Sequence, residues 1–171
     1  MKTIYEALEA DHKVLKNLLS ELVATEVGTV ARRRAVIAVK QELIPHSRAE
    51  EAVFYNTLRA IKNEALKELI MGHGYGEHIE AENLLNGLLK EEGDEDLAPE
   101  FKKAIEHHIK EEEGEMFTAA RQVLLADEAT LMGESFIELK SQVLRQGDEQ
   151  NIKELVMNIL PRRFPDNPHH L

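Results

Sequence analysis

The amino-acid sequence predicts an all-α protein: an antiparallel up-down four-helix bundle with additional C-terminal helices. Three observations carry this. Ala, Leu, Glu and Lys dominate the 171 residues, while aromatics are only 5% and Trp is absent. Such a composition suits helices and starves strands, which favour β-branched and aromatic residues. Apolar residues recur at a period near 3.6 in four long segments joined by short breaks, the pattern of an antiparallel bundle. Gly and Pro are few, 9 and 5, and mostly stand where a helix should break.

The elements follow in order. Thr3 and Glu6 form an S/T-x-x-E capping box. Ile4, Leu8, Leu15, Leu19 and Leu22 then share one helical stripe. Gly28 and Thr29 mark a turn. A second helix is expected over about residues 30 to 61, with Val36, Val39, Leu43, Val53 and Leu58 near one face. Pro45 lies inside it and should kink or restart it, because proline removes a helical hydrogen bond. A third helix is expected over about 64 to 91. Its stretch Gly72-His73-Gly74-Tyr75-Gly76 is poor helix sequence and predicts a local distortion. Residues 91 to 98 read as an acidic loop. Pro99 suits the first position of a fourth helix, reaching about residue 125. Asp127 can cap a fifth helix ending near Gly147, and Asp148 a short sixth ending at Pro161. The last eleven residues contain three Pro and are expected to be irregular. The expected organisation is a bundle at 1–126 and a helical extension with its tail at 127–171, packed on the same domain.

Charge and composition exclude several functions. There is no cysteine, hence no disulfide framework, zinc-thiolate site or Cys-ligated cluster. A formal net charge of −11 opposes nucleic acid and anionic lipid as partners. No apolar run is long enough to span a bilayer, and acidic residues appear by Glu6, so the N-terminus does not read as a secretory signal. A cytoplasmic protein is expected.

The histidines are the informative residues. On the second helix His46 and Glu50 share the seam of Val36, Val39, Leu43 and Val53. On the fourth, His108 and Glu112 share the seam of Phe101, Ile105, Met116, Ala119 and Val123. His12 continues the stripe of the first helix, and His78 leads into Ala81, Leu85 and Leu88 on the third. Residues at i and i+4 lie on one helix face. His46/Glu50 and His108/Glu112 can therefore each present a nitrogen and an oxygen to one centre. No Lys or Arg lies on these seams, and a buried carboxylate is costly unless it is paired or binds a metal. Both problems are answered by a metal site. Two carboxylates with four or five imidazoles suit two bridged ions: Fe, Zn, Cu or Ni by imidazole, or Mn by carboxylate. The segments HSRAEEAVFY and HIKEEEGEMF repeat the pattern H-x3-E-E-x3-aromatic, one on the second helix and one on the fourth.

The remaining candidates are weaker. His107 points about 100° from His108 and reads as solvated or as an outer partner of the site. His73 stands five residues before His78, the wrong spacing for a regular face, although the glycines around it could let the helix bulge. Tyr75 reads as packing or as a donor near the site. Of the run Glu111-Glu112-Glu113 only Glu112 lies on the seam. Tyr55 and Phe117 read as core, and His169 and His170 as surface.

Four segments, EADHKVLKNLL, IPHSRAEEAVFY, GEHIEAENLL and EHHIKEEEGEMF, resemble the hemerythrin-like, HHE cation-binding family in order and spacing. The resemblance covers residues 1 to about 125. It implies a four-helix bundle around two non-haem iron ions with an oxo or hydroxo bridge. Zn or Mn remain alternatives. His12, His46, His78 and His108 would be terminal ligands, and Glu50 and Glu112 would bridge. His73, His107, Glu111 and Tyr75 would be further ligands or outer partners. Oxygen-carrying relatives use H-x3-H on the third helix and H-x4-D on the fourth; here these are His73-x4-His78 and His108-x3-Glu112. The site thus looks more like the regulatory or iron-handling branch. The implied function is binding of, or reaction with, dioxygen or a related oxidant, in oxygen or iron sensing, storage or protection. A redox enzyme for peroxide or nitric oxide, or an iron donor for damaged metal centres, is the alternative.

Overall fold

The computed structural model describes residues 1–90 and 96–146. Most of the expected acidic loop, the expected sixth helix and the tail with His169 and His170 lie outside the described residues.

Among the described residues every regular element is helical. Helix α1 (Ile4–Val23) begins at the expected capping box: the Thr3 hydroxyl accepts from the Glu6 N–H at 3.3 Å, and the Glu6 carboxylate accepts from the Thr3 N–H at 2.8 Å. Helix α2 (Val30–Glu50) is capped by Thr29. It continues through a wide π turn, Glu51–Tyr55, into α3 (Asn56–Ala60). Helix α4 (Glu64–Leu69) likewise continues through a π turn, Ile70–Tyr75, into α5 (Gly76–Lys90). Helix α6 (Ala98–Glu111) passes through a third, Glu112–Met116, into α7 (Phe117–Val123). The last described helix is α8 (Ala126–Gln146).

One sequence expectation changes and another takes a specific form. The second helix does not restart at Pro45; α2 runs through it with the proline ring buried. That burial offsets the lost hydrogen bond. The interruption comes at Glu51–Tyr55, which carries no proline or glycine. The expected distortion at Gly72–Gly76 is the π turn Ile70–Tyr75.

The packing is a ring: α1 on α2, α2 on α5, α5 on α6, and α6 on α1, with α8 lying along α1 and α2. Two apolar clusters fill it. One holds Ile4, Leu8, Phe54, Leu58, Phe117 and Phe136; the other holds Leu15, Leu19, Val36, Leu85, Phe101 and Ile105. Each such buried side chain contributes about 1.5–3 kcal/mol. Helix α1 runs from the first cluster to the second, α2 back, α4–α5 forward again and α6–α7 back. That alternation is the up-down order. Between the clusters, each of these four rods places one histidine: His12, His46, His78 and His108. A polar layer therefore divides the core.

Helix α8 closes on the first cluster through Ala129, Met132, Phe136, Leu139 and Val143. Its approach needs Gly133. A Cβ there would stand 2.3 Å from the Lys2 carbonyl oxygen, inside any tolerable contact.

Candidate metal centre

The polar layer is built by register. His12 follows Leu8 by one helical turn and precedes Leu15, so the face that buries the leucines buries the imidazole too. The same reasoning places His46 after Leu43, and His108 after Ile105. Glu50 stands one turn beyond His46, and Glu112 one turn beyond His108, each where its helix widens into a π turn. All are buried, Glu50 and Glu112 completely.

The inward nitrogen is Nε2 in every ring. His12 Nε2 lies 3.1 Å from Glu112 Oε2, His46 Nε2 3.5 Å from Glu50 Oε2, and His78 Nε2 3.2 Å from the same Glu50 oxygen. His108 Nε2 lies 3.9 Å from Glu112 Oε2 and 4.0 Å from Glu50 Oε2. His78 and His108 bring their Nε2 atoms within 3.3 Å of each other. Two donor groups result, His12/His46/Glu50 and Glu50/His78/His108, with the ligand atoms of each within 4.8 Å of one another.

These short separations are not hydrogen bonds for the carboxylates. Both oxygens of Glu50, both of Glu112, and Nε2 of His12 are buried without a hydrogen-bond partner. They are close but misaligned, as donors converging on a common point would be. Leaving a carboxylate buried and unpaired costs several kcal/mol. The ion-pair partners of Glu50 and Glu112 are histidines. The mixed imidazole and carboxylate set fits divalent metal ions.

A second layer holds the outer nitrogens. His46 Nδ1 meets Asp11 at 3.2 Å, His78 Nδ1 meets Glu51 at 2.8 Å, His108 Nδ1 meets Glu77 at 2.9 Å, and His12 Nδ1 meets Glu113 at 2.9 Å. The links close a circle: α1 to α2, α2 to α5, α5 to α6, and α6 back to α1. A carboxylate at Nδ1 fixes the proton there, which turns the Nε2 lone pair inward.

A family model for the hemerythrin HHE cation binding domain matches residues 3–120. The chain belongs to this family. Among solved structures, this HHE chain is similar to a hemerythrin HHE cation binding domain-containing protein, the Rv2633c homolog from Mycobacterium kansasii. The two are 26% identical over 94% of this chain and 100% of the other, with a TM-score of 0.71. A comparison with curated proteins found no match.

Electrostatics divide the imidazoles of this HHE domain into two kinds. Burial alone would depress His12 and His78. Contacts with Glu112 and Glu113, and with Glu50 and Glu51, outweigh burial and raise both rings to about 10. Burial holds His46 and His108 below the usual range, with Asp11 and Glu77 only partly opposing it. Burial and the neighbouring Glu112 push Glu50 up. Burial opposes ionisation of Glu112 as well, but Glu50 and His12 hold its pKa below the usual carboxylate value. The polar layer gathers positive charge around its two carboxylates.

The other sequence candidates lie outside both donor groups. His73 is 46% exposed and His107 58% exposed. Glu111 is half-buried. Tyr75 donates its hydroxyl to Asn56 Oδ1 at 2.9 Å and packs on Tyr55. Sequence reasoning missed the outer carboxylates. Asp11, Glu51, Glu77 and Glu113 each stand beside an inward residue in the chain, and that adjacency was their one available signal. Glu113, which lies off the seam, is a partner of His12. Tyr55 is fully buried in the core as expected, but its hydroxyl has no hydrogen-bond partner. Its ring lies over His78, with centroids 5.4 Å apart. Gly74 makes room for it: a Cβ there would come within 2.9 Å of the ring. Burial together with Glu112 and Glu50 raises the phenol well above its ordinary pKa, so it stays a neutral donor.

Proposed function

We propose that the polar layer holds two non-haem iron ions bridged by Glu50 and Glu112, and that the pair reacts with dioxygen or a related small oxidant in sensing, storage or protection. The observation that carries this reading is the pair of donor groups sharing Glu50, with Glu112 beside them as a second buried carboxylate that has no hydrogen-bond partner. One ion would leave donors unused. His12 and His46 serve one ion, and His78 and His108 the other. Iron supplies redox electrons and open coordination positions for a small oxidant.

The residues supply the rest. The apolar clusters on either side of the layer keep water out. The outer carboxylates hold each Nδ1 proton and aim each Nε2. Tyr55 offers a neutral hydroxyl beside the carboxylates. Exposure of His73 leaves four imidazoles and two carboxylates for two ions, fewer than two octahedral ions require. Open positions on both ions would favour reaction over reversible carriage.

The test begins with metal content per chain and the aerobic visible spectrum. Two iron ions per chain are expected. Anaerobic ferrous protein should then be oxidised by air and should not return to its colourless form when oxygen is stripped away. Full recovery over repeated cycles would refute the reactive reading. Gas evolution from peroxide would assign the same centre to turnover.

The outer layer makes a separate prediction. Glu113→Ala removes the acceptor at His12 Nδ1 and should weaken metal binding by about 10–100-fold while helix content is unchanged. Competition with a chelator of known affinity measures it.

A further inference from the structure

The outer carboxylates are not held alike. Asp11 is paired with Lys140 at 2.6 Å, Glu51 with Arg48 at 3.6 Å, and Glu113 with Lys16 at 3.6 Å. Glu77 instead meets histidines. Its Oε2 accepts from His108 Nδ1 at 2.9 Å, while its Oε1 faces His107 Nε2 at 3.4 Å and His73 Nδ1 at 3.9 Å.

We propose that His73, Glu77 and His107 form a surface site for one divalent transition-metal ion, separate from the buried centre and linked to it through the second oxygen of Glu77. An exposed imidazole differs from a lysine in a decisive way: when neutral it is a ligand rather than a counterion. Two ligands of one tetrahedral ion with bonds near 2.1 Å lie about 3.4 Å apart. The His107–Glu77 separation already has that value, at 3.4 Å, and His73 stands 0.5 Å farther out at 3.9 Å. The three donor atoms do not all lie within 4.8 Å of one another as they stand, so the two rings, each about half exposed, must turn toward Glu77 to share one ion. A Cβ on Gly72 would meet nothing within 4 Å, so the surface beside His73 is open.

The surroundings suit a cation. A cleft of about 200 Å³ is lined by Glu77, Glu80, Glu100, Lys103, Ala104 and His107. Three carboxylates against one lysine leave it negative, on a chain whose net charge is −11. Nitrogen and oxygen donors together select Fe²⁺-like or Zn²⁺-like ions over Ca²⁺. Such a site is where an incoming ion would first be held, one carboxylate away from His108. That delivery role rests on the buried metal centre proposed above; the surface site itself does not.

The experiment uses the full chain. Its metal is first measured, excess ion is removed, and Zn²⁺ is titrated by calorimetry into the wild type and into the His73→Ala/His107→Ala double variant. The wild type should bind one Zn²⁺ that the double variant binds at least about tenfold more weakly, a loss that even an outer partner's removal causes. The buried metal content should be equal in the two proteins, which also shows that the variant folds. Equal Zn²⁺ titrations would overturn the surface site. Loss of the buried metal in the double variant would overturn its separateness. A chain with no buried metal that still shows the His-dependent Zn²⁺ site would refute the centre and keep the surface site. For delivery, Fe²⁺ uptake by metal-free protein should be several-fold slower in the double variant and reach the same end point. An unchanged uptake rate would overturn delivery.

Discussion

Glu50→Ala is expected to empty both donor groups, leaving less than about a tenth of the wild-type metal, because Glu50 is common to both. His12→Ala or His78→Ala removes a ligand from one group only and should leave a partial complement. His107→Ala, whose ring is mostly exposed, should leave the buried metal unchanged. The fold should survive Glu50→Ala. In the metal-free protein, removing this fully buried carboxylate relieves a desolvation penalty of several kcal/mol, but it also takes from His78 the contact at 3.2 Å that helps hold its proton. Against this stands the cavity left by a few heavy atoms, about 2–3 kcal/mol by analogy with large-to-small core changes. Metal-free Glu50→Ala should therefore stay folded, its stability changed by only a few kcal/mol because these effects oppose one another. Metal analysis of purified protein and denaturant unfolding after chelation measure the two effects. Retention of wild-type metal by this variant would remove the shared-ligand geometry altogether.

The inward histidines were legible in the sequence because helical periodicity fixes which residues share a face. His12 could not sit between Leu8 and Leu15 and point outward. The outer carboxylates were not legible, because each touches a histidine on a different helix. Asp11 is about 100° around α1 from His12, and only the position of α2 shows that this direction meets His46 rather than water. The π turns Glu51–Tyr55 and Glu112–Met116, unlike the one among the glycines, escaped for a related reason. Seam stepping at 3.6 residues expects Val53 and then residue 57 to face inward. The wide turn Glu51–Tyr55 buries Ala52, Val53, Phe54 and Tyr55 in succession. That is how Tyr55 comes to lie over His78 while Phe54 packs in the apolar cluster. A periodic reading cannot contain a change of period. Pro45 misled for the opposite reason: its local cost is real, but the buried surroundings of α2 outweigh it.

Metal binding at neutral pH is expected to release about two protons per chain, and chelation to lower the melting temperature by about 10 °C. The first follows from the charge division in the polar layer, the second from binding to the folded state alone. In the metal-free protein His12 and His78 are raised to about 10, so both carry protons at pH 7.5. Coordination needs the Nε2 lone pair, and the carboxylate at Nδ1 keeps the other proton in place. Each of these rings must therefore give up its Nε2 proton. His46 and His108, held below the usual range by burial, have no such proton to release. Apparent affinity for each ion should thus rise by about tenfold per pH unit between neutrality and pH 10, one proton being displaced at each, and acid should release the metal. The sign for the metal-free fold is the reverse. A raised imidazole contributes stability that is complete below about 6.5 and is lost as pH climbs through about 10. The metal-free chain should then be less stable at pH 10 than at pH 7, while the loaded chain has no such protons to lose. For the melting temperature, free ligand at about 1,000 times its Kd stabilises by about 4 kcal/mol. Each kcal/mol is worth about 2–4 °C in a chain of this size. Calorimetric titration in two buffers of different ionisation enthalpy counts the protons, and scanning calorimetry with and without chelator gives the shift. Binding that releases no protons at pH 7.5 would show that His12 and His78 do not surrender them to a metal.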